Sequence, residues 1–376
     1  MIMKSLLQFI VIFSFCSFAS AKKNTHVFEY QNPIKTGIDP KGLRDCQVLR
    51  DGDSWYMTGT SYPHWSTQEK TGELNKGIAL YRSKDLKTWE FVNYILERPS
   101  SKKWYYRRFW APEIHKFAGK YYAGFSCQND SLGYIYQHVG YAVADKITGP
   151  YKVITDEKPL TAGNDLTFFE DTDGKVWAFW NSGREFGIGF AQLDLASGKF
   201  LTKPQSAIQP GKVDYALDSI GNIVKIPGYD GRPVPKVLKY HTWDAIGIEG
   251  SYVIKYDKTY YLFYSSWTRG YEIGYATASN ITGPWLKHGN DSFYGGQSKP
   301  TCLKNGFEWT GDPNSIFDQV GHNAIFKGPD GRLWISCHGL VGGKEPMLVI
   351  DPIWFEKDGT VKSKGPTYSK QLVSIP

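Results

Sequence analysis

Apolar and polar positions fall into short alternating runs broken by Gly and Asp turns, and the 3.6-residue spacing of an amphipathic helix is hard to find. Five segments repeat one order: a polar residue, a short apolar run, a turn, then an aromatic-rich run. They are Asp45–Leu49 leading to Trp55–Met57, Glu113–His115 leading to Gly119–Tyr122, and Asp165–Phe169 leading to Gly174–Trp177. Glu249–Val253 leading to Thr259–Leu262, and His322–Phe326 leading to Gly331–Trp334, complete the series. Each is followed by a further pair of runs. Tyr141–Ala144 before Ile147-Thr148-Gly149-Pro150-Tyr151 and Tyr275–Ala278 before Ile281-Thr282-Gly283-Pro284-Trp285 are nearly the same words. Ile78–Tyr81, Ile188–Ala191 and Met347–Ile353 occupy the same slot.

Units beginning at 45, 113, 165, 249 and 322 are longer than the ~40–45 residues of a WD40 blade. They leave room for four strands and generous loops. The expectation is an all-β fold, a five-bladed β-propeller with four antiparallel strands per blade, in one domain over residues 22–376. The innermost strand of each blade would line a central channel, with the leading polar residue at its mouth.

Composition narrows the setting. Aromatics at 16% and 39 glycines suit many short strands joined by tight turns. Lys4, the apolar run Leu6–Phe18 and the small residues Ala19-Ser20-Ala21 read as a signal peptide over residues 1–21. The expected location is secreted or periplasmic. That run is too short to span a bilayer comfortably, so membrane insertion is not expected. A formal charge of +7 is dispersed; Lys102-Lys103 and Arg107-Arg108 read as a solvated face or an acidic-glycan contact, not a nucleic-acid site. Cys46, Cys127, Cys302 and Cys337 have no metal-finger spacing and read as small buried thiols.

The predicted channel mouth gathers Asp45, Glu113, Asp165, Glu249 and His322. Four carboxylates and an imidazole are costly to bring together for packing alone. Glycoside hydrolysis needs such a set: one carboxyl protonates the departing oxygen, and a second carboxylate activates water or attacks the anomeric carbon. Crowded like charges raise one carboxyl pKa and keep it protonated. Trp104-Tyr105-Tyr106, Phe109-Trp110, Trp180, Trp243, Trp267 and Tyr271 supply faces for sugar stacking or for core packing.

Arg44-Asp45 with Ser54–Thr60, Tyr81–Trp89, and Trp110-Ala111-Pro112-Glu113-Ile114 resemble the motifs of glycoside hydrolase family 43. Asp165–Gly174, Glu249-Gly250 and Gly321-His322 continue the likeness, which covers roughly Asn32 to Phe355. The resemblance implies an inverting enzyme in which Asp45 is general base, Glu249 general acid and Asp165 the residue that orients the acid and adjusts its pKa. Trp110, Glu113, Trp180, His241, Trp267 and Arg269 are the candidate substrate contacts. No cofactor is implied for the chemistry; His322 would hold, through water, a structural calcium or another ion in the channel. Cys46 in place of proline, Glu113 in place of aspartate and Ser251-Tyr252 in place of proline-histidine mark a divergent subgroup. The implied substrate is a plant or algal oligosaccharide losing a terminal xylose, arabinofuranose or galactose-type sugar. Two alternatives remain. His241, eight residues before Glu249, resembles the acid of the related family 117, which acts on anhydro-galactose ends of agar oligosaccharides. The other is a propeller that binds carbohydrate without cleaving it.

Overall fold

The computed structural model describes residues 26–183, 187–211, 213–216, 236–240, 242–245, 247–268, 271–289, 292–295 and 316–375. The leader, His241, Arg269 and Cys302 lie outside the described residues. Five antiparallel sheets follow one another in chain order as the five blades of a propeller. Their inner strands are Leu43–Asp51 (blade I), Arg107–Phe117 (II), Asn164–Glu170 (III), Ile248–Tyr256 (IV) and Phe317–Lys327 (V). In blades I and V the fourth position is one strand, Glu90–Glu97 and Val361–Ser363 respectively. In blades II, III and IV it is split into two short pieces that both pair with the third strand, as Lys152–Val153 and Thr161–Ala162 do on Tyr134–Ala144.

A four-stranded sheet with both faces apolar is unstable alone, and here each face is covered by the next blade. The buried side chains accordingly divide into five clusters, one for each blade junction. Ile78 and Leu80 pack with Phe109 and Phe125 between blades I and II, and Val139 and Tyr141 with Leu166 and Phe168 between II and III. Phe179 and Phe190 meet Leu262 and Tyr264 between III and IV, and Phe263 and Tyr275 meet Val320 and Ile335 between IV and V. At the last junction, between V and I, Trp334 and Met347 pack on Val48 and Met57. Phe28 and Tyr30 join this last cluster from outside the blades. They belong to a terminal ribbon in which His26–Tyr30 pairs antiparallel with Gln371–Ile375.

Every inner strand carries a β-bulge near its start, marked by a register shift against its second strand. In each, one residue adopts positive φ at the bulge facing the channel, Asp45 (55°), Ala111 (43°), Asp165 (60°), Gly250 (62°) and His322 (55°), and Arg108 (58°) does so at a second bulge in blade II. Asp, His and Gly are the residues that tolerate this region at least cost, which explains four of the five channel-facing ones. The turn re-aims the chain so that neighbouring side chains on one strand face the same cavity. The sequence repeat therefore marks these bulges.

Candidate active site

The bulges place Asp45, Asp165, Glu249 and His322 around one cavity of ≈ 270 Å³. Arg44, Thr60, His64, Trp65, Ser66, Trp110 and Asn164 complete its lining. Asp45, Asp165 and His322 are bulge residues. Arg44, Trp110, Asn164 and Glu249 stand one position earlier, opposite Thr60, Ser126, Asn181 and Ser265 on their second strands. Asp45 and Glu249 thus reach the cavity from different register positions. Glu113 lies two residues beyond its bulge at Ala111 and does not line the cavity. It is 1% exposed beneath it, with Oε1 3.5 Å from His322 Nε2 and Oε2 3.0 Å from His115 Nε2. A single leading polar residue per unit was too coarse a rule, because the positions differ by up to three residues around the bulge.

The second strands lock these bulges in place. Each bulge amide is taken by a side chain of the preceding blade: Ala111 N–H by Thr60 Oγ1 at 2.7 Å, Asp165 N–H by Ser126 Oγ at 2.9 Å, and His322 N–H by Ser265 Oγ at 2.8 Å. The Asp45 N–H donates to His338 Nδ1 at 3.0 Å, closing the series between blades V and I. At the fifth junction the corresponding residue, Asn181, instead donates to Asn164 Oδ1 at 3.1 Å. The Gly250 N–H is accepted there by Asp165 Oδ2 at 3.0 Å. Asp165 is therefore both a wall of the cavity and the tie between blades III and IV, anchored beside Glu249.

The carboxyls differ in charge state. Burial raises the pKa of Asp45, but the His322 ring, the Arg44 guanidinium and a 2.5 Å hydrogen bond from Thr60 outweigh it and hold it below the usual carboxylate range. His338 contributes no charge there, since its Nδ1 accepts the Asp45 amide and its burial holds it neutral. Glu249 is pushed up to about 7, first by burial and then by the charge of Asp165, against a hydrogen bond from Tyr271. Asp165 is itself raised by burial and by Asp45, with His322 opposing. Although burial disfavours its charge, His322 is raised to about 10 by Asp165, Asp45 and Glu113, which stand 3.5–3.8 Å from its nitrogens.

An ion coordinated directly by His322 does not fit these residues. Among the described residues no group of three or more His, Cys, Asp or Glu side chains is arranged to hold a metal. A histidine charged by three carboxylates has no free nitrogen lone pair to offer one; the imidazolium supplies the positive charge itself. Of the remaining candidates, Trp110 lines the cavity, whereas Trp267 does not. Trp180 is core: it is 1% exposed and stacks on Phe200 at 5.0 Å. Trp104, Trp243 and the thiols of Cys46, Cys127 and Cys337 are likewise buried. Sequence reasoning overlooked Thr60, Ser126, Ser265 and His338. The signal was present, since aligning the second strands puts a small hydroxyl or an imidazole at one offset.

A five-bladed propeller whose inner-strand bulges gather three carboxylates in one cavity is the architecture of a glycan-processing fold. The family model described as Glycosyl hydrolases family 43 matches residues 30–361, and the chain belongs to that family. Among curated relatives it is 24% identical to xylosidase/arabinosidase 43B of Humicola insolens over 91% of this chain, spanning 56% of that protein. It is 28% identical to extracellular endo-α-(1→5)-L-arabinanase 1 of Bacillus subtilis (strain 168), covering 85% of this chain and 87% of the relative. The fold is like that of a crystallised thermostable family-43 glycoside hydrolase, with a TM-score of 0.66, 24% identity, and 92% and 99% of the two chains covered.

Proposed function

We propose that the chain is an inverting glycosidase that removes a terminal pentose or galactose-type sugar from plant or algal oligosaccharides. Asp45 takes a proton from a water whose oxygen bonds to the anomeric carbon. The glycosidic C–O bond breaks as Glu249 gives its proton to the departing oxygen, and the anomeric configuration inverts in this single displacement. The observation that carries this reading is the opposite charge setting of two carboxyls in one cavity. Between the lowered pKa of Asp45 and about pH 7, Asp45 is ionised and Glu249 protonated, as base and acid require.

The exo mode is supported by the wall beside Asp45. His64, Trp65 and Ser66 line the cavity at the start of the helix Trp65–Thr71, and Glu69 of that helix pairs with Arg108 of blade II at 3.1 Å. Such a wall favours chain ends over a through-going groove. Pentosides head the screen because the relatives are named a xylosidase/arabinosidase and an endo-α-(1→5)-L-arabinanase. Export rests on the leader-like first 21 residues.

The test is a screen of the purified protein on aryl glycosides and on plant and algal oligosaccharides, with Asp45→Ala and Glu249→Ala in parallel. Release of one sugar by wild type and its loss in both variants is expected, with NMR of the first product showing the inverted anomer. Binding that is equal in all three proteins without turnover would leave a carbohydrate-binding propeller instead.

A further inference from the structure

We propose that Tyr271 is the positioning residue of the acid: its hydroxyl holds one oxygen of Glu249 so that the other carries the transferred proton. This rests on the reading of Glu249 as general acid. The Tyr271 hydroxyl lies 2.8 Å from Glu249 Oε1, whereas among the described residues Oε2 has one long contact, 3.5 Å from Asn164 Nδ2. With Oε1 occupied by a donor, the proton of the neutral carboxyl belongs on Oε2. Once that proton leaves, the same hydrogen bond stabilises the carboxylate left behind. Burial beside Glu249 drives the phenol pKa well above its usual value, so Tyr271 stays a neutral donor throughout.

The ring is held as firmly as the hydroxyl. Tyr271 precedes the third strand of blade IV, Glu272–Ala278, and its carbonyl accepts the Val320 N–H of blade V at 3.1 Å. Four inner strands place a side chain from the cavity lining just before the bulge: Arg44, Trp110, Asn164 and Glu249. The fifth has Gly321, and the Tyr271 ring fills the space its side chain would need. A Cβ on Gly321 would come within 2.1 Å of Tyr271 Cδ1. On another side, the ring centroid is 5.4 Å from that of His338, the acceptor of the Asp45 amide. One buried tyrosine thus links the acid to the support of the base.

The experiment compares Tyr271→Phe, Gly321→Ala and Glu249→Ala with wild type on aryl glycosides graded from 2,4-dinitrophenyl to phenyl leaving groups. A dinitrophenolate departs without protonation, so a defect in acid assistance disappears on that substrate. Tyr271→Phe is expected to match wild type on the dinitrophenyl glycoside and lose about 10-fold in kcat/KM on the phenyl one. Its alkaline limb should move up by about one pH unit, because a bond favouring the carboxylate is gone. Gly321→Ala displaces the ring without removing the hydroxyl and should show the same leaving-group dependence; it carries the test if Tyr271→Phe does not fold. Equal losses on all leaving groups with an unmoved limb would overturn the proposal and leave Tyr271 a packing residue. Failure of Glu249→Ala to recover on the dinitrophenyl glycoside would instead remove Glu249 as the acid, a separate result.

Discussion

Substituting Asp165 by Asn isolates the charge that helps keep Glu249 protonated. The amide retains an oxygen to accept the Gly250 N–H, so the tie between blades III and IV persists. What disappears is the second-largest cause of the Glu249 shift, after burial. The whole rise, from 4.5 to about 7, sets the scale. Removing one like charge is expected to return about one unit of it, bringing Glu249 to about 6. At pH 7 the protonated fraction would fall from about one half to about one tenth, a loss of about 5-fold in kcat/KM. At pH 5 both proteins hold Glu249 almost wholly protonated and their rates should converge. The assay is the pH dependence of kcat/KM on a phenyl glycoside, where acid assistance matters. A loss of equal size at pH 5 and pH 7 would refute the electrostatic account and assign Asp165 a role confined to geometry.

Other expectations address the frame and the ion. Ser126→Ala leaves the buried Asp165 amide unpaired, which should cost about 1–3 kcal/mol and lower Tm, with Ser126→Thr restoring part of it. Trp180→Ala should destabilise by about 3–5 kcal/mol while leaving KM unchanged, since the side chain lies in the blade II–III core; a raised KM in folded protein would return it to the substrate contacts. Exhaustive chelation should leave kcat/KM unchanged if the His322 imidazolium is the cation of the channel. Loss of activity restored by calcium would contradict that.

Blade number and the approximate position of the cavity were legible because each blade repeats the same strand pattern and the same leading polar group. What the repeat blurred was depth. Asp45, Glu113 and Glu249 head similar strings, yet the bulge sets them at three different positions relative to its own turn. A one-residue shift in a strand turns a side chain to the other face, so the repeat alone could not say that Glu113 is buried below the others. Tryptophans misled for a related reason. Trp110 and Trp180 both lie near predicted strand ends or loops, but only the structure distinguishes a residue before a bulge from one packed between blades. Tyr271 stood in the string of sugar-contact aromatics and proved to contact Glu249. No local pattern reveals a hydrogen bond formed across a blade.

The pairing of Asp45 with His338 spans 293 positions and joins the first blade to the last. During synthesis the strand bearing Asp45 therefore emerges long before the imidazole that fixes its backbone. Any chain truncated ahead of residue 338 would carry both carboxyls yet lack the support of one of them. Completion of the ring, sealed by the terminal ribbon, is thus also the moment at which the cavity acquires its working shape. Assembly and competence are coupled through the last blade.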